Sequence, residues 1–382
     1  MTGSSFEAWL AAQAAERQAH GLTRRLVEAD RGDPLLDLAG NDYLGLARDP
    51  RVVAGAVAAA QAYGAGATAS RLVSGTLSVH TRLEQAVAAF TGFGSALVFS
   101  TGYHANLSVV QALADQDTLV VSDEHVHASL IDGCRLARAA VTVTPHNDLA
   151  AVARALAGRR QRRALVLAET IYSVLGDAAP VAELAALAAD YDAVLIGDEA
   201  HALGVAGPGG RGLFAEHGLT GRPEVVATAT LSKSLGAQGG LVLGLPALRE
   251  HLVNRARPFI FDTGLAPAAA GAALAALQVL QVTPELPVRV RANAAVLAAA
   301  AGVAAPAGAV LSVRMPGPAE ALAGVAAAAG HGLRIGCFRP PSTPDGSSRL
   351  RLTAHAHHTD EELALAVKVL RSIVHGTDPV SR

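Results

Sequence analysis

Apolar residues in this chain gather into short runs separated by longer stretches of helical period. The runs cover residues 96–100, 118–123, 141–144, 164–169, 193–198, 225–230 and 240–244. Most lack alternation of polar and apolar positions, which predicts strands buried on both faces. Helical stretches between such strands predict βαβ units and a mostly parallel sheet. Ahead of them the pattern predicts an amphipathic helix over 6–20, an extended piece over 35–38 and a turn at Asn41–Gly45. After about residue 280 the character changes. Runs at 309–315, 333–338 and 349–353 predict the strands of a smaller α+β unit. Thr359 and Glu362 have the spacing of a capping box, which opens a closing helix. The fold expected is α/β, with a mostly parallel sheet covered by helices on both faces and a small α+β C-terminal domain. The expected division is an arm over 1–50, a large domain over 51–280 and the small domain over 281–382.

Composition narrows the possibilities. Of the 382 residues, 51% are hydrophobic and 17% charged, which excludes disorder as the main state. A net charge of -2 argues against a general nucleic-acid binder. Segment 292–313 is uncharged, but it is rich in alanine and contains Pro306, so a buried helix, turn and strand fit it better than a membrane span. Cys134 and Cys337 are too few for a disulfide framework, and the first residues lack a signal-peptide pattern, so a cytoplasmic setting is expected. Arginine supplies nearly all the positive charge. Lys233 and Lys368 are the two lysines in the sequence. Lys368 sits in the amphipathic closing helix, where any long cation serves. Lys233 lies in a loop of small residues after a strand, where a lysine can lose its proton and attack a carbonyl.

Other strand ends carry complementary chemistry. Ligands of open α/β sheets bind beyond the carboxyl ends of the strands. Asp198 ends one strand, and another ends at Thr230, three residues before Lys233. A third runs through Ser100 and Thr101 into a helix opening at Gly102 and Tyr103, whose free amides suit a phosphate. A fourth leads to His127. A Schiff-base lysine, a carboxylate, a phosphate-binding helix start and a flat group are the needs of pyridoxal 5'-phosphate.

Seven segments in this order resemble the α-oxoamine synthase family of fold-type-I pyridoxal-phosphate enzymes. They are Asn41–Gly45, 64–75 (GAGATASRLVSG), 100–106, 127–130, 198–201, 230–236 and 339–353 (RPPSTPDGSSRLRLT). The resemblance covers nearly the whole chain. It implies that Lys233 holds the cofactor and moves a proton, that Asp198 pairs with the pyridine nitrogen, and that His127 stacks on the ring and acts as an acid. His201 and Ser173 would lie near the ring oxygen. Thr101, Gly102, Tyr103 and Thr230 would hold the phosphate or adjoining ring edge, with Thr263 reaching it from the second subunit of a homodimer. Arg351 would bind the amino-acid carboxylate, and Asn41, Arg339 and Ser342 belong to the matching substrate segments. Arg24, in Leu22-Thr-Arg-Arg25, is the expected contact for the acyl group. One departure is Ser173-Val-Leu-Gly176, where the family often carries an acidic residue in place of Leu175.

The activity implied is condensation of an amino acid with an acyl thioester and loss of CO2. The 339–341 segment resembles biotin-pathway members, which points to L-alanine and a pimeloyl group on coenzyme A or acyl carrier protein. Glycine C-acetyltransferase is the alternative, and a non-catalytic binding protein on the same fold a more distant one. Residues 207–212 match G-x-G-x-x-G but lack a preceding strand, so a dinucleotide site is not expected. His355, His357 and His358 lie between the last strand and the closing helix without a supporting cysteine or carboxylate set, and no metal is expected.

Overall fold

The computed structural model describes residues 4–24, 26–28, 32–340 and 342–375. Arg25 and Pro341, named above, lie outside them. The arm contains β1 (Leu36–Asp37). The seven predicted apolar runs form β2 (Ser95–Phe99), β3 (Thr118–Asp123), β4 (Ala140–Thr144), β5 (Arg163–Glu169), β6 (Val194–Asp198), β7 (Val225–Thr230) and β8 (Gly240–Gly244). They make one sheet in the order β2-β8-β7-β6-β5-β3-β4. Only β8 runs against the rest. Side chains alternate between two apolar layers. Val121, Val166 and Leu195 face one layer, and Val120, Leu165 and Ile196 face the other. Strand β4 departs from the expectation of double burial. It is the edge strand, and Val141 and Val143 are exposed.

Mostly parallel connections bring Phe99, Asp123, Glu169, Asp198 and Thr230 to one rim. Gly240 shows how tightly the rim is packed. A Cβ there would stand 2.1 Å from the Thr101 carbonyl oxygen, so only glycine lets β8 pass beneath the start of the helix Gly102–Leu113.

The C-terminal part is built from β9 (Val310–Met315), β10 (Leu333–Arg334), β11 (Gly336–Phe338) and β12 (Ser348–Thr353). The run expected as one strand over 333–338 is two. β10 pairs in parallel with β1, whereas β11 joins the antiparallel sheet β11-β12-β9. A single run of apolar residues cannot reveal that its two halves have different partners. The helix Pro267–Val282 packs on Pro50–Tyr63, and Glu285–Ala301 packs on the closing helix Asp360–His375. Thr359 caps the closing helix as expected: its hydroxyl accepts from the Glu362 amide, and Glu362 accepts from the Thr359 amide. The arm helix Ser5–Ala19 forms, but it buries no residue against the described residues. Phe6 and Trp9 stack on its exposed face. Among the described residues, no helix is long and apolar enough to cross a membrane. Both cysteines are free.

A charged clamp fixes the loops beside the rim. His146 Nδ1 lies 3.1 Å from Asp123 Oδ1, and its Nε2 lies 2.8 Å from Asp177 Oδ2. Burial pulls the imidazole down, but the two carboxylates outweigh it and raise its pKa from 6.5 to about 9. The folded state therefore holds this proton more tightly than the unfolded chain. The clamp contributes fully below pH 6.5, and its contribution is lost as pH rises through 9. Urea midpoints should show wild type losing more stability than His146→Gln over that window. Parallel pH profiles would overturn the assignment.

Candidate active site

The rim opens into a cavity lined by Thr101, Gly102, Tyr103, Asn106, His127, Ser129, Glu169, Asp198, Ala200, His201, Ala229, Thr230, Ser232 and Lys233. Strand ends deliver the acidic groups. Glu169 and Asp198 are register partners on β5 and β6, and both are buried. Asp198 accepts hydrogen bonds from Asn106 Nδ2 at 2.7 Å and from the Ala200 amide at 2.9 Å. The two donors fix the direction of the carboxylate. Glu169 accepts from the Ser173 amide at 2.8 Å. Burial, and then the nearby Asp198, push its pKa up to about 8.

Lys233 sits in the loop after β7, partly buried and facing these carboxylates. Burial is the largest influence on its amine and lowers its pKa from 10.5. Asp198 and Glu169 oppose that shift, and Arg351 adds to it. The enclosed site thus favours an amine that can shed its proton.

A chain of hydrogen bonds orients His127. Asn106 Nδ2 donates to Ser129 Oγ at 2.8 Å as well as to Asp198. The Ser129 hydroxyl must then give its own proton to His127 Nδ1, 2.7 Å away, which also accepts from the Ser129 amide. With Nδ1 occupied as an acceptor, Nε2 carries the proton of the neutral ring. Burial lowers the pKa of this histidine, with Asp198 opposing and Lys233 adding. His201 is held neutral more strongly, first by burial and then by Lys233 and Arg351. Its Nδ1 lies 2.7 Å from the hydroxyl of buried Tyr43, which belongs to the arm.

Across the cavity, Thr101 caps the helix Gly102–Leu113 by accepting from the His104 amide at 3.1 Å. The amides of Gly102 and Tyr103 stand at the helix start, where they have no partner within the helix. A Cβ on Gly102 would sit 3.1 Å from Thr230 Cβ, so the two positions pack closely. Thr230 Oγ1 bonds Ser232 Oγ at 2.7 Å, adding hydroxyls to the same corner. Tyr103 is exposed and donates to Asp132. An amine, a directed carboxylate, a neutral histidine donor and a helix start with hydroxyls converge on one space. The residues fit pyridoxal phosphate.

The remaining expected residues lie around the cavity rather than in its lining. Ser173 bonds Glu169 and gives its carbonyl to Arg351 Nε at 2.7 Å. Arg351 is buried, reaches Asn41 Oδ1 at 3.4 Å and stacks over the Phe338 ring at 5.2 Å. Phe338 in turn lines a second cavity with Leu22, Arg24, Cys337, Arg339, Pro340 and Ser342. There Arg24 bonds Ser342 Oγ at 3.3 Å, and Arg339 bonds the Gly21 carbonyl. Thr263 does not line the cavity of its own chain and instead bridges to Ser70. Residues 207–212 form a tight turn with a short 3-10 segment, Pro208–Gly210, and no strand leads into it.

Residues 33–370 match the aminotransferase class I and II family. The chain belongs to that family. It is 54% identical to a protein named 8-amino-7-oxononanoate synthase from Mycolicibacterium gilvum, over 97% of this chain and 98% of the other. A protein of the same name from Mycobacterium tuberculosis is 51% identical over 96% and 95%. A structure of SPT with PLP internal aldimine matches with a TM-score of 0.90 at 30% identity, over 98% of this chain and 99% of that one. Serine palmitoyltransferase of Sphingomonas wittichii matches with a TM-score of 0.89 at 29% identity, over 98% of each.

For this member of the aminotransferase class I and II family, sequence reasoning assigned no role to Asn106, Ser129, Glu169 or Ser232. The best available signal was Glu169, an acidic residue ending an apolar run beside the one that ends at Asp198. Asn106 is the linchpin of the polar network, and Asn106→Leu would remove both of its donors. Cofactor affinity should fall about tenfold to a hundredfold, the worth of a hydrogen bond to a charged group. Fluorescence titration of the apoprotein with pyridoxal phosphate measures this, and an unchanged Kd would contradict it.

Proposed function

We propose that the chain is an 8-amino-7-oxononanoate synthase that uses pyridoxal 5'-phosphate and acts as a homodimer. L-alanine and a pimeloyl thioester would give 8-amino-7-oxononanoate, CO2 and the free thiol, a step of biotin formation. The alanine Cα gives up its proton and bonds to the thioester carbonyl carbon, the thiol leaves, the alanine carboxylate departs as CO2, and Cα takes up a proton in its place. The supporting observation is the convergence of Lys233, Asp198 and His127 in one cavity, in a chain with full-length relatives of that name.

Bound pyridoxal phosphate supplies a carbonyl for linkage to an amine and an electron sink for charge developing at Cα. Lys233, with its lowered pKa, has an Nζ suited to carry the cofactor and to take up a proton. Asp198, fixed by Asn106 and Ala200, offers a negative acceptor to a ring N–H. His127 presents its Nε2–H as the acid for a developing oxyanion. His201, neutral and braced by Tyr43, would be the second polar group for the ring oxygen. The amides of Gly102 and Tyr103, with Thr101 and Thr230, suit the phosphate.

Arg351 would bind the alanine carboxylate, its guanidinium oriented by bonds to Asn41 and the Ser173 carbonyl. Arg24, Arg339 and Ser342 border the second cavity, where a guanidinium can meet the far carboxylate of a pimeloyl chain. Phe338 stands between the two sets. Thr263 would serve the partner subunit.

Mass spectrometry of a reaction containing L-alanine and pimeloyl-CoA or pimeloyl-acyl carrier protein tests the assignment. Wild type should form 8-amino-7-oxononanoate, and Lys233→Ala should lower the rate at least about 10³-fold. Turnover of glycine with acetyl-CoA, and none of alanine with either pimeloyl thioester, would transfer the protein to glycine C-acetyltransferase.

A further inference from the structure

Three histidines away from the cavity meet where β12 runs into the closing helix. One ring nitrogen from each of His355, His357 and His358 lies within 4.8 Å of the others. The ring centroids are 4.9, 5.0 and 5.3 Å apart. His355 and His358 are only 2% and 3% exposed, while His357 opens to solvent.

The proton count at the two buried rings is incomplete. His355 Nδ1 lies 2.9 Å from the Asp42 carbonyl oxygen, so that nitrogen must carry the proton. Its Nε2 lone pair faces Thr353 Oγ1 at 3.1 Å. The single Thr353 proton points elsewhere, to the Gly40 carbonyl at 2.7 Å. His358 Nδ1 is buried with no hydrogen-bond partner. His355 Nε2 and His358 Nδ1 are thus two buried imidazole nitrogens to which no group donates, beside a third imidazole at the surface.

We propose that His355, His357 and His358 form a binding site for a divalent transition-metal ion of the zinc type. Neutral imidazole nitrogens are the ligands such ions take, and a water completes a tetrahedral set. The bond from His355 Nδ1–H to a backbone carbonyl is the arrangement that fixes the other nitrogen as a ligand. His357, being exposed, is both the route of entry and the ring that swings inward to close the site. The ion would have a structural role. The Ala356 amide donates to the Tyr43 carbonyl, and the Thr353 amide donates to the Leu38 carbonyl. A metal here would therefore pin the closing-helix junction to the arm turn that supports His201 through Tyr43. This site does not depend on the proposed reaction.

The test uses the full chain loaded with pyridoxal phosphate and carrying no histidine tag. After chelator dialysis it is titrated with Zn2+, then separately with Co2+. Wild type should bind one equivalent, give the absorption of tetrahedral Co2+, and melt at a higher temperature with Zn2+ present. His357→Ala should weaken binding at least about tenfold, as should His358→Ala if it folds, while His331→Ala at another exposed position should not. Absence of saturable binding to wild type, or equal binding by His357→Ala, would overturn the proposal and leave the two lone pairs to water.

Discussion

A lysine amine attacks a carbonyl only while it lacks a proton, and Lys233 is placed where burial disfavours its charge. The same enclosure acts on its neighbours in opposite senses. It raises Glu169, lowers His127 and lowers His201 further. Asp198 receives two fixed donors, from Asn106 and the Ala200 amide, that replace lost water. The cavity is thus a set of groups whose protonation is decided by how much solvent and how many donors each one keeps. Everything else in the fold serves to hold that enclosure at the sheet rim.

The large sheet supplies one wall by register. Parallel pairing puts Glu169 beside Asp198, and β7 ends just before Lys233. The other wall comes from distant parts of the chain. Tyr43 of the arm braces His201, and Arg351 of β12 reaches Ser173 and Asn41. The arm is tied to the C-terminal part twice, by the pairing of β1 with β10 and by the Thr353 amide of β12, which donates to the Leu38 carbonyl. Phe338 sits over Arg351 and also lines the cavity of Arg24 and Arg339. One aromatic ring is therefore shared by the two expected substrate regions.

Much of this was legible in the sequence because the chemistry lies at strand ends. Apolar runs buried on both faces located the strands, and Asp198, Lys233 and the helix start at Gly102 follow them directly. Asn106 was not legible, because its meaning depends on which side of a helix faces β6. Glu169 needed the register of β5 against β6. The broken run at 333–338 needed knowledge of its partners, and exposed β4 needed the strand order. The arm helix has the expected length, but none of its residues is buried by the described residues, so periodicity alone does not say what its apolar face covers.

The central claim concerns the charge of one amine, and the composition makes it measurable. With only two lysines in the sequence, protein labelled with 13C at lysine Cε should give two side-chain signals, assigned by Lys368→Arg. Their pH titration in the apoprotein reads Lys233 directly. The account predicts a Lys233 midpoint below 10.5. A midpoint at or above that value would contradict it, because the cavity would then favour the charged amine over the nucleophile.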